Sequence, residues 1–248
     1  MDEMPKTLAV STAYIDYRSA APAVPMPPPR RGRRATCPPT PPIGKPGEPY
    51  PIGGMFQLLV DDEIALVLAE ERHAQAMTDL IKRNQGRLAR WEPWAEQPAT
   101  VEGTRAYIRA ALEDFVRGSQ VSTIIALDGG RRFIGRCGMR INAHASSGDI
   151  GYWIDAEYEG RGITRRSAQA LVTAAFIELG LKRADLRTSI DNQRSRALAE
   201  RLGFSFEGIQ TRGLRFSNRT DDLALYSVTA EQWTALRRAD RDRDRVTP

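Results

Sequence analysis

Residues 158–164 read Tyr158-Glu-Gly-Arg-Gly-Ile-Thr164 and join an alternating apolar segment, Asp149 to Ile154, to a long amphipathic run that begins near Arg165. A glycine-rich turn at a helix start aims several unpaired backbone N–H groups and the positive end of the helix dipole at one point, which is where a phosphate binds. Arg161, Arg165 and Arg166 add guanidinium groups able to strengthen that grip. Glycine also serves strand-to-helix connections for the turn alone, so this stretch by itself leaves both readings open.

A second polar cluster is Asp191-Asn-Gln-Arg-Ser195, directly after the strand-like run Ala184 to Ile190, and Leu202-Gly-Phe204 lies seven residues on. Asn192 and Ser195 read either as the N-cap and first turn of a helix or as side chains turned toward a ligand. Trp91 and Trp94, in Arg90-Trp-Glu-Pro-Trp94, read either as a hydrophobic staple between helices or as a wall of a binding site.

Taken in order, the strand, the Glu159 to Thr164 loop, the helix, the second strand, Asn192-x-x-Ser195 and Leu202-Gly-Phe204 resemble the GNAT superfamily of N-acetyltransferases. Within it they resemble the RimJ/RimL-like branch, which modifies the N-termini of ribosomal proteins. The family's acyl-CoA loop has the form Gln/Arg-x-x-Gly-x-Gly/Ala; here Glu159 and Thr164 depart from it and the central Gly162 is kept. The resemblance covers roughly residues 57–233. It implies acetyl-CoA as co-substrate, no metal, and a primary amine as acceptor.

By the same resemblance, Glu159, Gly160, Arg161, Gly162, Ile163, Thr164 and Arg165 hold the pyrophosphate, while Trp153 and Ile154 offer a backbone edge to the pantetheine arm and an amide to the acetyl carbonyl. Asn192 contacts the arm, Ser195 stands near the thioester sulfur, Trp91 and Trp94 line the acceptor side, and Tyr226 belongs to the core. The acidic residue that some members use as a base aligns with Leu214, so that role is not carried over. Asp149, at the start of the central strand, is the candidate catalytic carboxylate in its place, ahead of Glu207, Asp221 and Asp222. An N-terminal amine, with a pKa of about 8, needs less help to lose its proton than a lysine at about 10.4.

The favoured acceptor is the α-amino group of a ribosomal protein with a Ser- or Ala-like first residue. The alternatives are a small amine or antibiotic, and an acyl-CoA-binding module without turnover. The expected state is a monomer or homodimer, cytoplasmic by default, with no membrane or direct nucleic-acid partner. Of the net charge of +5, three units arise in residues 1–54, where seven Lys/Arg face four Asp/Glu, so the body is nearly balanced. Two histidines, His73 and His144, and two cysteines, Cys37 and Cys137, are too few and too scattered for a metal cluster, a Ser-His-Asp triad or a disulfide framework. That count speaks against hydrolase and metalloenzyme chemistry.

Three segments position these residues. Thirteen of sixteen prolines fall in the first 51 residues, which removes backbone donors and predicts a disordered Pro-rich basic tail over 1–54; Met55 is an alternative translation start. Residues 55–235 form the catalytic domain, and 236–248, where Arg and Asp alternate, a charged disordered tail. Within the domain the patterns predict an extended Gln57 to Leu68, helices over Glu71 to Leu88 and Val101 to Arg117, and a meander of Val121 to Leu127, Arg132 to Ile141 and Asp149 to Ile154. A helix from Arg165 to Leu179, the strand to Ile190, a helix from Gln193 to Leu202 stopped by Gly203, and two last strands complete it. The predicted class is α/β: a mixed, mostly antiparallel central sheet with helices on both faces and, by resemblance, a splayed central strand pair.

Overall fold

The computed structural model describes residues 56–246, with side chains to residue 240; the expectations for residues 1–54 and Met55 lie outside the described residues. The chain opens with strands β1 (Gln57–Leu59) and β2 (Ala65–Leu68). These replace the single extended segment expected over 57–68, because Asp61 Oδ1 accepts from the amides of Glu63 and Ile64 at 3.0 and 2.9 Å and folds the chain into a hairpin. A 3-10 turn at Glu71–His73 leads into α1 (Ala74–Ala89). A second 3-10 turn, Pro93–Glu96, precedes α2 (Val101–Val116), whose N-cap Thr100 accepts from the Gly103 amide.

Strands β3 (Gln120–Leu127), β4 (Arg132–Asn142) and β5 (Ser147–Ile154) form the expected antiparallel meander. Then come α3 (Ile163–Ile177), β6 (Arg183–Ser189), α4 (Gln193–Leu202), β7 (Ser205–Arg215), β8 (Thr220–Thr229) and α5 (Ala230–Val246). The eight strands lie in the order β1-β2-β3-β4-β5-β6-β8-β7, antiparallel everywhere except between β5 and β6.

Alternation along the strands divides the core between two faces. On one, Ile125, Cys137, Ile150, Leu186 and Tyr226 pack with Ile163, Leu171 and Val172 of α3 and with Ala199 and Leu202 of α4. On the other, Ile124 and Trp153 pack with Met77, Leu80 and Leu88 of α1 and Ile108 of α2. The disordered tail expected from residue 236 is corrected as far as Val246, since α5 continues there as helix. Two contacts anchor its middle: the Arg237 guanidinium lies 4.7 Å from the Trp233 ring centroid and donates to the Leu202 carbonyl. Gly203, at φ +91°, leaves the room that the Leu236 side chain fills.

Candidate active site

The parallel pair β5–β6 is short: Ser147, Gly148 and Asp149 pair with Arg183, Ala184 and Asp185, and beyond Asp149 the two strands part. Ser146 O accepts from Lys182 N at the closed end, Ile154 O accepts from Arg87 Nη2, and Asp155 N donates to Ile134 O of β4. Backbone direction alternates along a strand, so Ile150, Tyr152 and Ile154 turn their backbone groups into the gap and Trp153 turns its own toward β4. Of the two residues expected to offer an edge, Ile154 therefore faces the gap and Trp153 does not; Tyr152 takes its place. Trp153 instead buries its side chain under α1 and α2.

At the open end, Gly160 (φ 76°) and Gly162 (φ 69°) both adopt left-handed backbone, with nothing within 4 Å of where a Cβ would stand. Gly162 is the N-cap of α3, and no side chain caps the helix. The first N–H groups of α3, on Ile163, Thr164 and Arg165, are thus presented to open space, which is the arrangement an anion requires. The Ile163 side chain itself is core. Among the arginines, exposed Arg165 has no ion-pair partner among the described residues. Arg161 is folded back onto the Glu157 carbonyl and the Tyr158 ring. Arg166, expected to assist, is paired with Asp61 and Glu63.

Glu159 extends across the gap, paired with Arg87 of α1 on one side and Arg194 of α4 on the other. Below this strap, Ser195 Oγ lies 3.1 Å from the Tyr152 hydroxyl. Burial pushes the Tyr152 phenol well above its ordinary range, so it keeps its proton at any working pH and stays a donor. Asn192 caps α4, its Oδ1 accepting from the Ser195 amide at 3.2 Å, and this cap fixes Ser195 in the first turn. Its amide group is the part left for a ligand.

On the α1/α2 face, Asp149 and Arg187 form an ion pair whose side chains are 15% and 22% exposed. Burial raises the Asp149 carboxyl pKa, and the adjacent Arg187 guanidinium opposes that shift. Trp91, with the Arg90 guanidinium over its ring, lines the same cleft. Trp94 does not line it: its ring packs among α1 and α2, and its Nε1 donates to Glu92 Oε2 at 2.8 Å. Glu92 is a cleft residue, and burial pushes its carboxyl up to about 7. The loop is tied to the β7–β8 hairpin, since Glu96 accepts from the Ser217 amide and hydroxyl, both at 2.9 Å, and Arg219 donates to the Arg90 carbonyl.

The resulting cleft, of about 960 Å3, passes through the sheet where β5 and β6 part. Hydroxyls (Tyr152, Ser195) and the uncapped helix lie toward the α3/α4 face, and carboxylates (Asp149, Glu92) toward the α1/α2 face. A thioester held from the first face and an amine approaching from the second would meet in the gap. The lesser carboxylates are placed elsewhere: Glu207 is paired with Arg183, Asp221 with Arg219, and Asp222 accepts from the Arg212 amide. Among the described residues no group of three His, Cys, Asp or Glu could hold a metal ion.

The sequence does not single out Tyr152, Glu92, Arg87, Arg187 or Arg194. In the Ser195, Asp149 and Glu159 pairs the partners are 35 to 72 residues apart, which no local pattern reveals. Tyr152 carried one signal, its alternation with Ile150 and Ile154 toward the core.

A family model described as an acetyltransferase (GNAT) domain matches residues 64–205. The chain is 34% identical over 187 residues to the "Putative ribosomal N-acetyltransferase YdaF" of Bacillus subtilis (strain 168), covering 72% of this chain and 98% of the relative. It is 27% identical over 169 residues to the ribosomal-protein-serine acetyltransferase of Escherichia coli (strain K12), covering 68% and 93%. Among solved structures, one described as a probable acetyltransferase matches with a TM-score of 0.69 at 32% identity, over 73% of this chain and all of that one. RimL, the ribosomal L7/L12 alpha-N-protein acetyltransferase, in complex with coenzyme A, matches with a TM-score of 0.68 at 25% identity, over 71% and 99%.

Proposed function

We propose, because this chain belongs to the acetyltransferase (GNAT) domain family, that it transfers the acetyl group of acetyl-CoA to the N-terminal α-amino group of a ribosomal protein. The observation that carries the reading is the junction of an uncapped α3 N-terminus, beside two left-handed glycines, with a gap in the sheet that holds the Tyr152–Ser195 pair. The acceptor class is supported by the names of the relatives matched over nearly their whole length. No helix among the described residues is long and apolar enough to cross a membrane. We place the enzyme in the cytoplasm, as a monomer or homodimer with no direct nucleic-acid partner.

In this reading the amides of Ile163, Thr164 and Arg165 hold the pyrophosphate, with Gly160 and Gly162 keeping the approach open and Arg161 and Arg165 supplying charge. Glu159 opens its strap when the pantetheine arm enters, and the Asn192 amide contacts that arm. The gap-facing amides of β5, Ile154 among them, polarise the acetyl carbonyl, and Trp153 holds β5 rigid from behind. Ser195 donates to the departing sulfur, and Tyr152 supports Ser195. Trp91 contacts the acceptor, Trp94 braces its loop, and Asp149 with Arg187 sets the charge at the acceptor end.

Free-thiol release from acetyl-CoA, measured against N-terminal Ser and Ala peptides and a panel of small amines, tests this. Release with the peptides is the expected result. Release with small amines alone would move the acceptor class to small molecules, and tight acetyl-CoA binding without release would make the chain a binding module.

A further inference from the structure

The relatives' names leave open which group removes the proton from the acceptor. An α-ammonium ion has no lone pair, so one proton must leave before nitrogen can attack. Two carboxylates reach the acceptor side of the cleft. Asp149 is engaged by Arg187 in a close ion pair, which occupies its carboxylate and opposes the rise in pKa that burial brings.

Glu92 is placed differently. It is the N-cap residue of the Pro93–Glu96 turn, with extended backbone at φ −125°, and Pro93 at the first helical position stiffens the turn. The Trp94 indole donates to Oε2 at 2.8 Å, and the half-buried Glu92 lines the cleft, which leaves Oε1 as the oxygen for an incoming proton. The loop itself is braced by the Glu96–Ser217 and Arg219–Arg90 ties. Among the charged groups, Arg136 from β4 acts on Glu92 and favours its carboxylate, while Arg90 on its own loop and the Asp149–Arg187 pair on β5 and β6 line the same cleft.

We propose that Glu92 is the general base of the acetyl transfer, its Oε1 taking a proton from the acceptor ammonium directly or through one water. This rests on the acetyltransferase reading of the same cleft. Glu92 accepts one proton and releases it to solvent; the neutral nitrogen then attacks the thioester carbonyl carbon, a C–N bond forms and the C–S bond breaks. The thiolate takes a proton from Ser195, and the second proton lost by nitrogen, as it becomes an amide, restores the hydroxyl through solvent. The sum is one amide, one thiol and one proton released. The burial of Glu92 in the cleft wall supports the assignment, because it raises the carboxyl to about 7, near the α-amine's value of about 8, where proton exchange is matched.

The test uses the full chain with an N-terminal Ser or Ala peptide. Glu92→Gln lowers kcat by about 100-fold or more, the usual contribution of a general base, while acetyl-CoA affinity stays within about twofold. In wild type, kcat/KM falls as pH drops through about 7; in Glu92→Gln that limb moves up toward the amine's own value, about 8. Trp94→Phe, which removes a hydrogen bond that favours the charged form, moves the wild-type limb upward. Carboxyl NMR of glutamate-labelled protein, assigned by the resonance missing in Glu92→Gln, should titrate near 7. An active wild type with Glu92→Gln showing no more than a few-fold loss at every pH, or a Glu92 resonance titrating in the ordinary carboxylate range, overturns the assignment of Glu92 alone. A wild type that binds acetyl-CoA and releases no thiol with any acceptor overturns the acetyltransferase reading itself.

Discussion

Replacing Tyr152 by Phe removes one oxygen from a side chain whose hydroxyl is bonded to Ser195 Oγ at 3.1 Å, and leaves the ring where it packs. Ser195 is half-buried and lines the cleft, so water can replace the lost partner and no polar group is orphaned. The stability loss should therefore stay near one neutral hydrogen bond, about 1 kcal/mol. The kinetic effect is set by where charge develops. A hydrogen bond to a charged acceptor contributes about 1.5–3 kcal/mol, so Ser195→Ala, which removes the donor to the nascent thiolate, should lower kcat about 10- to 150-fold. Tyr152→Phe removes only the bond that orients and polarises that donor, about 1 kcal/mol, and should cost about 5-fold. Because Tyr152 acts through Ser195, the double variant should be no slower than Ser195→Ala alone, a coupling equal to the whole Tyr152 effect. Thiol release from saturating acetyl-CoA with a Ser or Ala peptide reads all three rates. Losses that multiply in the double variant, or a Tyr152→Phe loss as large as that of Ser195→Ala, would refute the relay.

Gly135 of β4 faces β5 so closely that a Cβ would stand 2.3 Å from Trp153 O and 2.9 Å from Ile154 Cα. Gly135→Ala should cost about 1–3 kcal/mol in chemical denaturation and weaken acetyl-CoA binding in calorimetry, whereas Gly86→Ala, in open space on helix α1, should gain about 0.4–1 kcal/mol. Arg187→Met leaves Asp149 buried without its counter-charge, at a cost of about 2–3 kcal/mol for this partly exposed pair. Since the Asp149 pKa is already above its unfolded value, the folded state holds the proton better, and stability from this group falls as pH rises through the folded pKa; the variant's Tm deficit should be larger at high pH than in mild acid. Cys137 is fully buried with its thiol pushed up to about 12, so peptide mapping after native-state alkylation should find it unmodified, and after unfolding modified.

The elements whose bounds the sequence predicts well are those whose signals are local. Alternating apolar residues mark β3 to β5, Gly203 ends α4 at a left-handed φ, and the spacing of Ile163, Ala168, Leu171, Val172 and Ala175 gives α3 its buried stripe. The local pattern misleads where a side chain or a distant surface intervenes. Asp61 folds 57–68 into two strands, and the Arg237 and Leu236 contacts with the end of α4 extend a helix into a stretch whose own composition favours solvent.

The same division holds for the cleft. Sequence alone determined the loop Glu159 to Thr164, the Asn192-x-x-Ser195 spacing and the family, because glycine placement and short-range spacing are properties of consecutive residues. Tertiary structure decided which backbone edge of β5 faces the gap, that Arg166 is engaged by Asp61 and Glu63, that Ser195 is backed by Tyr152, and that Glu92 rather than Trp94 reaches the cleft. Each of these depends on strand register, on which side of a sheet a residue falls, or on a partner tens of residues away. Such relations are fixed by packing two faces of one sheet at once, and no window of consecutive residues contains them.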